Sequence, residues 1–376
     1  MFNGFALNNI KNAYVGSTPA QAIYLGSTLI WPTTPSEHDY SKDYFTIVSL
    51  QDNNDIGWKT QDNNVQKSIS VSTDNGTTWI SYNPSTEGTK LATLNNGNKL
   101  LVKGNNIKYQ GSGVSRLYFT STENFYIEGN IMSLSYGDNF YDKTSLDETA
   151  NWHFKNIFWG CTKLTSAENL ILPATTLAYG CYESMFDGCS SLKIAPMLPA
   201  TKLASSCYDG MFKGCASLTK APDLPATELA SSCYSGMFVG CTALSTPPEL
   251  PATTLAPSCY AYMFEKCTSL TTAPELPATT LANQCYTYMF NDCTSLTTAP
   301  ELPATTLANQ CYKYMFYKCS NLNYVKCLAT DISATECTSA WLADVSSSGA
   351  FIKDANMTNW TSGSNGIPSG WTVQNA

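Results

Sequence analysis

The sequence predicts an α+β chain in which small β modules are followed by a solenoid of 26-residue strand/helix units. Three observations carry this. Residues 268–286, TSLTTAPELPATTLANQCY, recur letter for letter at 294–312. Cysteines at 181, 207, 233, 259, 285 and 311 fall at a constant 26-residue interval, and a second series runs in step at 189, 215, 241, 267, 293 and 319. The first 150 residues hold no cysteine and are rich in Asn, Gly, Ser, Thr and Tyr, with short runs such as KSISVS and KLLVKG that alternate as strands do.

Residues 1–33 read as a small β module. AYVGST at 13–18 and IYLGST at 23–28 are near copies separated by PAQA, which predicts two short strands around a turn. A proline-marked linker follows at 34–43, and residues 44–150 form a β-rich region of sandwich size. Within it STDNGTTW, 72–79, matches the pattern S-x-D-x-G-x-T-W, the Asp box. Asn75-Gly76 between two β-favouring runs is a hairpin turn whose residues tolerate positive φ. Ser72, Asp74, Gly76 and Trp79 are then turn residues: Asp74 bonds the amides of its own turn and Trp79 packs beneath it. The box resembles that of sialidases, where it is also structural. A sialidase's arginine cluster has no counterpart, since Arg116 is the sole arginine.

Residues 151–345 comprise about seven repeat units. Within one, Leu281, Cys285, Met289 and Cys293 follow at intervals of four, beside Ala282, Tyr286 and Phe290, a stripe that predicts a helix capped by Thr279 or Thr280. Cys285, Met289, Phe290, Cys293 and Leu296 are the expected core positions of the unit. SLTTAPEL is too short and too proline-marked for a helix and reads as an extended segment. A leading unit ending at Cys161 and a trailing unit, CTSAWL at 337–342, depart from the consensus, as terminal repeats that face water should. Residues 346–376 are a C-terminal cap.

All fifteen cysteines lie between 161 and 337. On a helix Cys285 and Cys293 stand about 12 Å apart, beyond the Cα separation of about 7 Å that a disulfide spans. Helices packed about 8–10 Å apart also keep equivalent cysteines unbridged. The cysteines therefore read as small buried hydrophobes in ladders, suited to a reducing compartment.

Composition narrows function. The chain is 43% hydrophobic and 13% charged, with net charge −8 and scattered lysines, so the basic footprint of nucleic-acid binding is missing. No apolar run is long enough for a membrane span, and MFNGFALNNIKNAY does not read as a secretory signal. No catalytic or zinc motif is found, and the expectation is a protein that is not an enzyme, with no cofactor and no metal. A paired-carboxylate glycosidase would draw on the regular acidic positions named next.

Two columns of variable positions are candidate ligand contacts. In APxLP the variable residue is Met197, then Asp223, Glu249, Glu275 and Glu301; the alternative for these four acids is a solvated face. Tyr262, Tyr288 and Tyr314 take a position held by Ser184, Gly210 and Gly236 in earlier units. Tyrosines give rigid contact area with a polar tip, and their alternative is packing over the neighbouring repeat.

A period of 26 lies within the roughly 20–29 residues of leucine-rich repeats. The units TSLTTAPELPATTLANQCYTYMFNDC resemble the BspA-like, Treponema-type repeats of surface adhesins. SVSTDNGTTWISY, LLVKGNN, IEGNIMSLSYGDNF and GSNGIPSGWTV resemble segments that accompany these repeats in proteins of gut Bacteroidales and their phages. AYVGST…IYLGSTLIWP is similar to small β modules at the start of phage virion proteins. The resemblance implies a tail fibre or virion-surface protein, located on the virion, that joins other virion proteins through residues 1–33 and presents the repeats to a host-surface glycan or protein. By analogy with fibres it implies a homo-oligomer, a trimer. Its alternatives are a virion decoration that acts as a spacer, and a bacterial cell-surface adhesin.

Overall fold

The computed structural model describes residues 38–62, 67–105, 116–146 and 151–376 in full, together with the backbone of four short strands between 14 and 31. Two compact units are present, Met1–Tyr40 and Ser41–Ala376. In the first, β1 (Tyr14–Val15) pairs antiparallel with β2 (Thr18–Pro19), and β3 (Ile23–Leu25) with β4 (Thr28–Trp31). Each near copy of the sequence thus pairs with the residues just after it. Among the described residues the expected pairing of one copy with the other does not form.

The second unit opens with two sheets. Strands β5 (Phe45–Ser49), β7 (Ile69–Ser72), β8 (Ile80–Tyr82), β10 (Lys99–Gly104) and β12 (Phe125–Asn130) join β13 (Leu164–Ile171) in the order β13-β12-β5-β10-β7-β8. Strands β6 (Asn54–Thr60), β9 (Thr89–Leu94) and β11 (Leu117–Ser121) form the other, ordered β11-β6-β9. Apolar residues from both bury a common core, with the Trp58 and Phe119 rings 4.6 Å apart and Phe45 and Phe119 5.5 Å apart.

This core runs on into the repeats. Strand β13 belongs to the leading unit and pairs parallel with β12. Phe158 packs against Phe45 at 5.6 Å and Phe119 at 5.9 Å, and the Cys161 thiol donates to the Phe119 carbonyl at 2.9 Å. The boundary drawn at 150 therefore separates two sequence types within one packed body.

The expected helix does not form. Among the described residues the single α-helix is α1, Ser133–Tyr136, and the structure is otherwise mostly strand and turn. Over 282–293 the backbone makes successive tight turns, with positive φ at Gln284 (59°), Tyr288 (56°) and Asp292 (63°). Its amides alternate. Those of Cys285, Thr287, Met289, Asn291 and Cys293 donate three residues back, at 3.1–3.3 Å. Those of Tyr286, Tyr288, Phe290 and Asp292 donate to carbonyls of the next unit, at 2.8–3.1 Å. A helix closes its hydrogen bonds on itself, whereas this coil spends every second one on its neighbour.

The result is close spacing. Phe158, Phe186, Phe212, Phe238, Phe264, Phe290 and Phe316 stack ring on ring at 5.3–5.8 Å. A second inner ladder runs Phe154, Tyr182, Tyr208, Tyr234, Tyr260, Tyr286, Tyr312 and Trp341 at 5.8–6.1 Å. Cys285, Met289, Phe290, Cys293 and Leu296 are all fully buried. The helix-packing distance of 8–10 Å does not apply, and that part of the cysteine reasoning falls with it. All fifteen cysteines are nonetheless free and buried. Thiols of the second series donate to the phenylalanine carbonyl of the preceding unit, as Cys293 does to Phe264 at 3.1 Å and Cys319 to Phe290 at 3.0 Å. A small group with a weak donor fits that place.

The extended segments contribute isolated parallel bridges, such as Lys220–Thr246 and Thr254–Thr280, because their prolines remove donors. Beyond the regular units, β14 (Tyr324–Cys327), β15 (Ala350–Lys353) and β16 (Thr372–Asn375) form a parallel sheet that continues the stack.

Candidate interaction surface

Tyr262, Tyr288 and Tyr314 stand where the coil takes left-handed φ, at 60°, 56° and 56°. Gly210 and Gly236 hold the same place in earlier units, at 61° and 58°, and Ser184 at 52°. Side chains at this point of the turn face away from the core. A tyrosine there costs about 1–2 kcal/mol of backbone strain relative to glycine. Inter-unit hydrogen bonds hold the backbone in place, from Tyr262 N to Thr287 O at 2.8 Å, Tyr288 N to Lys313 O at 2.9 Å and Tyr314 N to Ser339 O at 2.9 Å.

Because the units are closely spaced, the three rings stack. Centroids of Tyr262 and Tyr288 are 4.9 Å apart with planes 11° from parallel, and those of Tyr288 and Tyr314 are 4.5 Å apart at 17°. Tyr262 remains 38% exposed, and the other two are half-buried. Burial, then the neighbouring phenols, push the Tyr288 hydroxyl above its ordinary pKa.

Polar side chains line the strip. On one side Ser258 donates to Gln284 at 3.3 Å, Gln284 to Gln310, and Gln310 to Glu336 at 2.7 Å, where Lys313 also binds at 2.7 Å. On the other, Asn291 donates to Glu265 at 3.1 Å, and Tyr317 meets Tyr314 edge-on at 5.4 Å. The arrangement is an aromatic strip with a hydrogen-bonding rim, suited to a flat, partly apolar ligand surface.

The acidic column is different in kind. Asp223, Glu249, Glu275 and Glu301 are all exposed, and Glu301 pairs with Lys326 at 2.9 Å. The other three have no ion pair among the described residues, and Met197 at the head of the column is 74% exposed. Tyrosines and acids lie on different stretches of the coil and do not form one site.

The Asp-box residues hold their own turn. Asp74 accepts from the Ser72 hydroxyl at 2.7 Å, the Thr78 amide at 2.9 Å and the Thr78 hydroxyl at 2.6 Å, which lower its pKa to about 2. Gly76 N donates to Ser72 Oγ at 2.9 Å, and Trp79 Nε1 to Gly76 O at 3.0 Å. The Trp79 ring is occupied by the Lys103 ammonium, 4.1 Å from its centroid.

One pair of carboxylates escaped notice in the sequence. Glu183 and Asp209 occupy equivalent positions 26 residues apart, and Glu183 pairs with Lys155 at 2.7 Å. Burial first, then the Glu183 charge, push the Asp209 carboxyl up to about 6. The signal was the second letter after each cysteine, CYE followed by CYD. No group of three or more His, Cys, Asp or Glu that could hold a metal occurs among the described residues, nor does a helix long and apolar enough to cross a membrane.

Residues 256–340 match the model of the BspA-type leucine-rich repeat region in six copies, and this span contains all three stacked tyrosines. No curated protein and no solved structure matches the chain. Leucine-rich repeats of this type point to a role in protein interaction or adhesion.

Proposed function

We propose that this chain is a non-enzymatic recognition protein of a virion surface, a tail or surface fibre whose repeat stack contacts a glycan or protein of the host. The observation that carries the reading is the tyrosine strip. Three consecutive units place stacked rings at a strained, outward position where glycine serves the fold better. Other left-handed positions of the coil, such as Gln284, Lys266 and Asp292, carry no ring; what sets these three apart is the continuous stacked aromatic surface they present. The match of residues 256–340 to an adhesin-type repeat supports an interaction role. The likeness of residues 13–32 to modules of phage virion proteins supports the virion setting and an anchoring role for residues 1–33, with assembly in the host cytoplasm as a homotrimer.

The test is adsorption. Purified full-length protein is incubated with a panel of Bacteroidales cells, and the variant Tyr262→Ser/Tyr288→Ser/Tyr314→Ser is compared with it. Saturable binding to at least one strain, lost in the folded triple variant, is expected. Undiminished binding by the variant would place the contact elsewhere. Absence of binding across the panel would favour the decoration or spacer role.

A further inference from the structure

The inner aromatic ladder ends on Trp360. Trp341 stacks on Tyr312 at 6.0 Å, and Trp360 stacks on Trp341 at 5.4 Å with planes 6° apart. Every earlier ring of this ladder from Tyr182 onward has a ring on both faces. Trp360 has one on one face, with Phe351 edge-on at 5.3 Å. Trp360 also lines an open cavity of about 450 Å³, within the roughly 300–1,000 Å³ of small-molecule sites.

The chemistry of that cavity is specific. Trp371 supplies a second indole, its own Nε1 bonded to Ser346 O at 2.8 Å. Lys353 reaches the cavity with its ammonium held by two neutral oxygens, Asn375 Oδ1 at 3.0 Å and Asp354 O at 3.3 Å, and no carboxylate among the described residues pairs with it. Thr361, Ser362 and Ser369, all exposed, line the wall and place hydroxyl-bearing side chains at its rim. The Trp360 Nε1–H is buried without an acceptor, an unmet donor in a region otherwise well bonded.

We propose that this cavity binds one ring of an acidic sugar, a pyranose that carries a carboxylate. An indole face takes the C–H face of a pyranose, rim hydroxyls exchange hydrogen bonds with its hydroxyls, and an ammonium without a counter-charge takes its carboxylate. A purely aromatic anion would make no use of the three rim hydroxyls, and a neutral sugar would leave Lys353 without a counter-charge. The site shares no residue with the tyrosine strip, so the two stand or fall separately.

Isothermal titration and tryptophan fluorescence on the full-length protein test this with methyl glucuronide, methyl galacturonide and N-acetylneuraminic acid, each against methyl glucoside. Saturable binding of at least one acidic sugar is expected, about tenfold or more tighter than the neutral one. Lys353→Gln should abolish that preference, and the triple tyrosine variant should keep it. Lack of saturable binding by all three acidic sugars at about 50 mM overturns the proposal, as does equal binding of the neutral sugar or an unchanged preference in Lys353→Gln.

Discussion

Gly240→Ala separates the two backbones that this sequence could adopt. In a helix interior, replacing glycine by alanine stabilises by about 1 kcal/mol, since alanine loses less entropy on ordering. In the turn coil Gly240 has φ of 72°, where a Cβ is strained and costs about 1–2 kcal/mol. Space is not the issue. A Cβ added there would lie 3.9 Å from the Gly214 Cα and 4.0 Å from its nitrogen, ordinary contact distances. Lys266, Asp292 and Lys318 hold the equivalent position in later units at φ of 61–63°. The substitution should therefore leave the fold intact and reverse the sign of the stability change. Urea denaturation, with hydrogen exchange at Phe212 and Phe238 to localise the effect, should show a loss of about 1 kcal/mol. A gain in stability would refute the turn coil and restore the helix.

Phe290, fully buried between Phe264 at 5.6 Å and Phe316 at 5.5 Å, should cost about 3–5 kcal/mol on truncation to alanine, seen as a lower denaturation midpoint and as local opening of adjacent units first. The ladder thiols should resist alkylation at pH 8 until denaturant is added, because burial pushes groups such as Cys241 and Cys319 up to about 12; mass spectrometry that finds them labelled in native protein would contradict this. The Asp74 carboxyl, lowered from 3.8 to about 2, contributes stability above pH about 4 that is lost as pH falls to about 2, and Asp74→Asn should flatten that part of a melting-temperature profile. Asp209 has the opposite sign. Raised from 3.8 to about 6, it favours the folded state at low pH and erodes stability as pH rises from about 4 to 6, so Asp209→Asn should gain on the wild type across that window.

The repeat, its 26-residue period and its buried positions were legible because each unit buries the same side chains against its neighbours. The helix was the misreading, and its source is particular. Inward pairs such as Cys285-Tyr286 and Met289-Phe290 recur with a period of four, the first of them following the exposed pair Asn283-Gln284. On a helix four residues turn about 400°, so a stripe of period four drifts by about 40° each step. Gly210, Gly214, Gly236 and Gly240, spaced by four inside the supposed helices, marked the left-handed positions. What no single unit could reveal is the inter-unit hydrogen bonding, which is non-local and sets the spacing. The tyrosine column was visible as a substitution pattern, but its stacking follows only from that spacing. The Trp360 cavity lies in residues without repeat signal, where nothing in the sequence places Lys353 and the two indoles together.

The distance between successive units decides the central claim, because the tyrosine strip exists only if the coils lie close. A crystallographic or cryo-EM map of the full chain that resolves side chains at 262, 288 and 314 measures it directly. Stacked rings with centroids 4.5–4.9 Å apart and phenylalanines at 5.3–5.8 Å are the predicted result. Units set about 8–10 Å apart, with helices between them and the three tyrosines separated, would contradict it.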